Sequence, residues 1–207
     1  MGKLNQRKRN KGNKNRNSVI AIKCEGKNKS EKTYLENYKS RDCIIKFATG
    51  NHTDPVGMAN DLVKYMQVQD ISIEYGDKIY LLIDTDKKQN KQKQIDEAKR
   101  ICDDNGIELI TSTPTFEYWY MLHFGYTTTK YGSSQEVKNE IKKKIKGYEE
   151  NMDVYPIIKS GTDIAIRNAK RVEKYQKEND KKIDSEEANP HTSIYRVIEE
   201  LIKRNKK

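Results

Sequence analysis

KIYLLIDTD, residues 78–86, decides how this chain is read. From Ile79 to Ile83 the run is apolar without polar alternation, as in a central parallel strand covered on both faces. It stops at Asp84 and Asp86, two acids separated by one residue. On its N-terminal side, Asp54-Pro55 pairs a capping residue with a first-turn proline, and Val56, Ala59, Leu62, Val63 and Met66 behind it form one apolar stripe. A helix to about residue 67 follows. Earlier still, residues 18–24 and 43–48 are short β-branched runs, with Tyr34, Leu35 and Tyr38 at helical spacing between them. On the C-terminal side, residues 91–104 carry Ile95, Ala98, Ile101 and Cys102 inward and stop at Asn105-Gly106, and residues 107–111 give a fourth strand. The order βαβαβαβ predicts an α/β fold with a parallel sheet of about four strands joined by right-handed crossovers.

After residue 111 the pattern turns helical. Thr113-Pro114 opens a short aromatic helix over residues 116–124. A polar helix is expected at 134–148 with Val137, Ile141, Ile145 and Tyr148 inward, and another at 162–177 with Ala165, Ala169, Val172 and Tyr175 available to pack. Ile194, Val197, Ile198, Leu201 and Ile202 follow i, i+3, i+4, i+7, i+8 and mark the last helix. The domain reading is a basic tail (1–17), an α/β core (18–111) and a helical extension packed on it (112–207).

Composition restricts the function classes. Of 207 residues, 34% are hydrophobic and 35% charged, so the core is economical and the surface heavily solvated. No stretch approaches the roughly 18 to 20 apolar residues of a membrane span, and no apolar secretory run stands at the start, which points to a cytoplasmic protein. Cys24, Cys43 and Cys102 are widely spaced and contain no Cys-x-x-Cys pair, which disfavours a disulfide framework or a zinc knuckle. The net charge of +10 is unevenly placed: Lys3, Arg7, Lys8, Arg9, Lys11, Lys14 and Arg16 supply seven of the ten charges within the first seventeen residues. Such a segment reads either as an arm that binds nucleic-acid phosphate through counterion release, with Arg7, Lys8 and Arg9 at its centre, or as a solubilising leader.

In an open parallel sheet, ligands bind beyond the carboxyl ends of the strands. Glu25 follows the first strand, and Asp84 and Asp86 follow the central one. Their mutual repulsion is relieved by a cation between them, and three hard oxygen ligands without His or Cys suit Mg²⁺ or Mn²⁺. Gly26 would let the backbone turn tightly beside Glu25. A glutamate at the first strand end, two crossovers, then Asp-x-Asp after an apolar central strand resembles the Toprim core. That resemblance implies Glu25 as metal ligand or general acid/base, and Asp84 and Asp86 as metal ligands.

A narrower resemblance covers the chain beyond the tail. Cys24-Glu25-Gly26 with Ser30-Glu31 and Tyr34-Leu35, Asp84-Thr85-Asp86, Phe116-Glu117-Tyr118-Trp119 with Leu122-His123-Phe124, and Asn189-Pro190 with Thr192 occur in the order of the RloB-like family, also called AbiLii-type. The family belongs to bacterial restriction and abortive-infection loci. The resemblance implies phage defence in company with an ATPase subunit encoded nearby. Glu31 and Glu117 are further candidate ligands; Glu117 reads equally as an acid favoured by a helix start. His123 is a candidate base or a packing residue between Leu122 and Phe124. Lys159, before Ser160-Gly161, is a candidate phosphate contact in a chain with many lysines. The expectation is a Mg²⁺-dependent nuclease acting on DNA or RNA. The alternatives are a non-catalytic nucleic-acid-binding or sensing subunit, and a primase-like nucleotidyl transferase.

Overall fold

The computed structural model describes residues 17–25, 30–85 and 91–206. Residues 1–16, with Arg7, Lys8 and Arg9, and residues 86–90, with Asp86, lie outside it, as does Gly26. The first strand β1 (Val19–Lys23) is followed by α1 (Ser30–Glu36), β2 (Ile44–Phe47) and α2 (Pro55–Gln69). Then come β3 (Lys78–Asp84), α3 (Lys91–Asp104) and β4 (Glu108–Thr113). Asp54 caps α2 by accepting from the Gly57 backbone N–H at 2.8 Å, so the capping residue and first-turn proline start this helix where the sequence places them.

The sheet order is β2-β1-β3-β4-β5, parallel except at the last edge. Each central strand packs on both faces. Tyr80 and Leu82 of β3 join Ile20, Ile22 and Ile110 under the C-terminal helices, while Ile79, Leu81 and Ile83 join Val19, Ala21 and Leu109 under α2 and α3. This two-sided burial is why residues 79–83 carry no polar alternation.

The C-terminal half adds α4 (Tyr118–Met121), α5 (Ser134–Lys144), α6 (Tyr155–Ile158), α7 (Thr162–Glu178), β5 (His191–Thr192) and α8 (Tyr195–Asn205). It departs from expectation in four places. The aromatic helix is a single turn, Tyr118–Met121, with turns at 116–117 and 122–124 in place of the rest of the expected helix. The polar helix ends at Lys144, not near Tyr148, with Ile145 already in extended backbone. Tyr175 is 42% exposed, and Gln176 is buried in its place, donating to the Pro190 carbonyl at 2.8 Å. The sheet has a fifth strand, where about four were expected. Asn189 holds the backbone of Tyr131 from both sides (3.1 and 2.7 Å), and His191-Thr192 pairs antiparallel with β4. Among the described residues no helix is long and apolar enough to cross a membrane.

Candidate carboxylate site

At the carboxyl end of the sheet, four acids from four segments influence one another. Asp84 is the last residue of β3, Glu25 lies two residues beyond β1, Glu31 is in the first turn of α1, and Glu117 precedes α4. Glu31 and Glu117 are 3% and 1% exposed. Thr115, just past β4, stands between two of the acids, with Oγ1 2.9 Å from Asp84 Oδ2 and 2.5 Å from Glu117 Oε2. One hydroxyl proton cannot serve two ionised carboxylates at once, so Thr115 alone does not satisfy the pair. Ser30 Oγ donates to Glu117 Oε1 at 3.3 Å. Glu31 Oε2 is buried with no hydrogen-bond partner among the described residues.

The electrostatics agree with that shortage. Burial first, then the charges of Glu117 and Glu25, hold the Asp84 pKa well above the carboxylate range, outweighing the Thr115 hydrogen bond and the Lys91 charge. Burial and the Asp84 charge do the same to Glu31, with smaller contributions from Glu117 and Glu25. Two ammonium groups approach from the side. Lys91, the first residue of α3, has Nζ 3.6 Å from Glu25 Oε1, and Lys138 of α5 has Nζ 3.9 Å from Glu117 Oε1 while also holding Glu150. Burial works to lower the Lys138 pKa, but the Glu150 hydrogen bond and the charges of Glu117, Glu150 and Asp84 raise it overall.

The sequence-derived candidates are therefore placed unevenly. Glu25, Asp84, Glu31 and Glu117 come together, whereas Asp86 and the tail residues Arg7, Lys8 and Arg9 are outside the described residues. His123 is packed edge-on to Trp119, its Nδ1 3.0 Å from the Trp119 carbonyl, and burial pushes its pKa down to about 4. It is a neutral packing residue with no acid of the cluster among the groups that perturb it. Lys159 is exposed on the turn before α7, where its carbonyl accepts from Thr162, and its Nζ meets no acid of the cluster. Thr115, Ser30, Lys91 and Lys138 were not anticipated as site residues. Of these, Thr115 was within reach of sequence reasoning, since it lies two residues beyond the end of β4, as Glu25 lies two beyond β1.

As a metal site, the donors fit by chemistry: all are hard carboxylate oxygens, and the orphaned Glu31 Oε2 requires a proton or a cation. Among the described residues, no three acid, His or Cys side chains converge closely enough to ligate one ion as they stand. Fold and site together define an α/β protein with buried carboxylates at the carboxyl ends of a mostly parallel sheet. The family model described as RloB-like protein matches residues 20–201, and the chain belongs to that family. No match is found among curated proteins or among solved structures.

Proposed function

We propose that this chain is a Mg²⁺- or Mn²⁺-dependent phosphodiesterase of Toprim type, cleaving DNA or RNA in phage defence alongside an ATPase partner in the cytoplasm. The observation that carries the reading is the charge imbalance at the strand ends. Glu31 is buried and its pKa is raised by the Asp84 charge, that of Asp84 is raised by Glu117 and Glu25, and among the described residues Asp84 and Glu117 share the Thr115 hydroxyl. Purely structural acids at this depth would be fully hydrogen-bonded or paired.

In this reading Glu25 and Asp84, with Asp86, hold the ion, and Glu31 and Glu117 complete or orient the set. Thr115 fixes the Asp84 carboxylate. Lys91 and Lys138 face the approaching phosphate from the side of the acids and offset their negative field. A bound divalent ion supplies Lewis-acid polarisation of the phosphoryl oxygen and an acidified water. The basic tail adds affinity for the nucleic-acid backbone.

The test is incubation of the full chain, with and without the ATPase encoded beside it, with DNA and with tRNA in Mg²⁺, Mn²⁺ or EDTA. Metal-dependent cleavage abolished by Asp84→Asn is expected. Cleavage that survives both EDTA and this substitution refutes the reading. A second reading has one observation in its favour: Lys91 and Lys138 already contact Glu25 and Glu117. The cluster then serves a binding or sensing subunit whose acids are balanced by lysines, and the protein binds nucleic acid without cutting it.

A further inference from the structure

Exposed rings of the C-terminal half gather along one flank of α7. Phe124 and Tyr126, in the loop after α4, and Ile164 and Tyr175 of α7 are between 38% and 43% exposed. On α7, Ile164, Asn168, Arg171 and Tyr175 stand at i, i+4, i+7 and i+11, so one line down the helix carries all four. Asn168 is the buried member of that line. Its Nδ2 donates to the Leu122 carbonyl at 2.8 Å, which holds the loop after α4 alongside. Further along the same flank, the Arg171 guanidinium lies 4.1 Å from the centroid of the Tyr126 ring. Arg167 stands one turn before Arg171 and is exposed like it. The side of α7 that meets the core carries Ala165, Ala169 and Val172, so core packing does not account for the rings outside it.

The charges of α7 divide the same way. Lys170, Lys174 and Lys177, on the other side of the helix, each face a carboxylate: Glu199 at 2.6 Å, Glu178 at 3.6 Å and Glu173 at 2.5 Å. Arg167 and Arg171 have no ion-pair partner among the described residues. The contact with Tyr126 takes no hydrogen bond from Arg171, so its N–H donors remain for an oxyanion. Open rings beside uncompensated guanidiniums suit a ligand that repeats an aromatic face and an anionic phosphate at every unit. In a duplex the faces of the bases are covered by their neighbours, whereas a single strand presents them to a ring. An acidic peptide would satisfy the arginines and leave the rings without a stacking partner.

The helix α4 joins this flank to the acid cluster. Glu117 stands at its start and Leu122, whose carbonyl Asn168 holds, at its end. At helical rise the two are about 8 Å apart. A strand lying along α7 therefore runs on the same side of the sheet as the residues that meet Asp84.

We propose that the flank formed by Phe124, Tyr126, Arg167, Arg171 and Tyr175 binds single-stranded nucleic acid, with bases on the rings and phosphates on the arginines. The assignment rests on the reading of nucleic acid as the ligand of this chain, and it holds whether or not the carboxylate cluster cuts the strand.

The test is fluorescence anisotropy of the full chain in EDTA with a labelled oligothymidylate or oligouridylate of about twelve nucleotides, within the usual range of site sizes, and with a duplex of the same length. The basic tail is present in every variant and binds both forms, so it cancels from the comparison. Tyr126→Ala and Tyr175→Ala should each weaken single-strand binding about tenfold, the loss of one base stack, and change duplex binding by less than about twofold. Arg171→Gln should make the slope of log affinity against log salt shallower by about 0.7 on the single strand, the loss of one phosphate contact. Tyr126→Phe, which keeps the ring, should bind as wild type does. So should Tyr75→Ala, which removes an exposed ring before β3 at the other end of the sheet. Melting temperatures should stay close to wild type, since each replaced side chain is exposed. Single-strand affinities of Tyr126→Ala and Tyr175→Ala equal to wild type, or losses as large on the duplex, overturn this surface while leaving the nucleic-acid reading in place. Variants that lose the ATPase partner but keep their oligonucleotide affinity overturn it too, and give the flank to a protein. Wild-type chain that binds neither form, in EDTA or in Mg²⁺, brings down the nucleic-acid reading and the surface together.

Discussion

Replacing Asp84 with Asn separates a functional acid cluster from a structural one, because the two readings predict stability changes of opposite sign. The substitution keeps the side-chain volume, and Asn Oδ1 can still accept from Thr115 Oγ1, which is 2.9 Å from Asp84 Oδ2. What disappears is the charge that Glu117, Glu25 and Glu31 oppose. What appears is an amide with two N–H donors among acids that lack them, and each buried acceptor left without a partner costs about 1–3 kcal/mol. Allowing for imperfect geometry, a net stabilisation of about 1–2 kcal/mol in EDTA is expected, within the usual range for relieving such a defect. For a domain of this size that is a rise of about 2 to 8 °C in melting temperature. Wild type should instead gain from the ion: at ten times the Kd for Mg²⁺, mass action adds about 1.4 kcal/mol, or about 3 to 6 °C. Thermal melts of both proteins in EDTA and over a Mg²⁺ series measure these quantities. A variant that melts lower than wild type in EDTA and still shifts with Mg²⁺ would mean that Asp84 is a structural acid and that the ion binds elsewhere.

Much of the fold was legible because burial on two faces leaves a mark on composition. β3 could be read from residues 79–83, and α2 from its Asp54 cap and Pro55, since each signal is local. β5 could not. Two residues are too short for periodicity, and its place depends on partners about 80 positions away, such as Ser112 Oγ 2.8 Å from Thr192 Oγ1 and the Thr111 N–H donating to Ser193 Oγ at 2.9 Å. Tyr175 was misjudged because a helical stripe is read from apolar residues, whereas the buried position is taken by Gln176, made acceptable by its bond to the Pro190 carbonyl. In the site, Glu25 and Asp84 stood out because ligands gather at strand ends. Glu117 was ambiguous because acids favour helix starts for dipolar reasons alone. Thr115, Lys91 and Lys138 are common residue types, and only the packing of α3, α5 and the turn after β4 brings them to the acids.

The stability advantage of Asp84→Asn over wild type in EDTA should shrink as pH falls from 7 toward 5. A carboxyl group whose folded pKa is raised favours folding fully only below its unfolded value of about 4, and that contribution is lost as pH rises through the folded pKa. His123 has the opposite sign: its pKa is pushed down to about 4, so both proteins should lose up to about 3 kcal/mol between pH 6.5 and 4, and His123→Gln should not. Removal of residues 1–17, which carry seven basic groups, should weaken non-specific nucleic-acid binding and flatten its salt dependence without changing the melting temperature. Identical slopes against log salt would make the segment a leader only. Lys138→Met tests whether the lysine stands in for an ion. Its Nζ lies 3.9 Å from Glu117 Oε1 and is only partly exposed, so its loss leaves the acids less compensated, and the melting temperature in EDTA should drop. A lysine that matters only through Glu150 at the surface would produce little change there, since exposed pairs contribute about 0–1 kcal/mol. The discriminating quantity is Mg²⁺ affinity, measured by titration calorimetry. Removing a competing cation should tighten Mg²⁺ binding and enlarge its thermal shift, whereas an unchanged Kd would show that Lys138 does not share the field of the acid cluster.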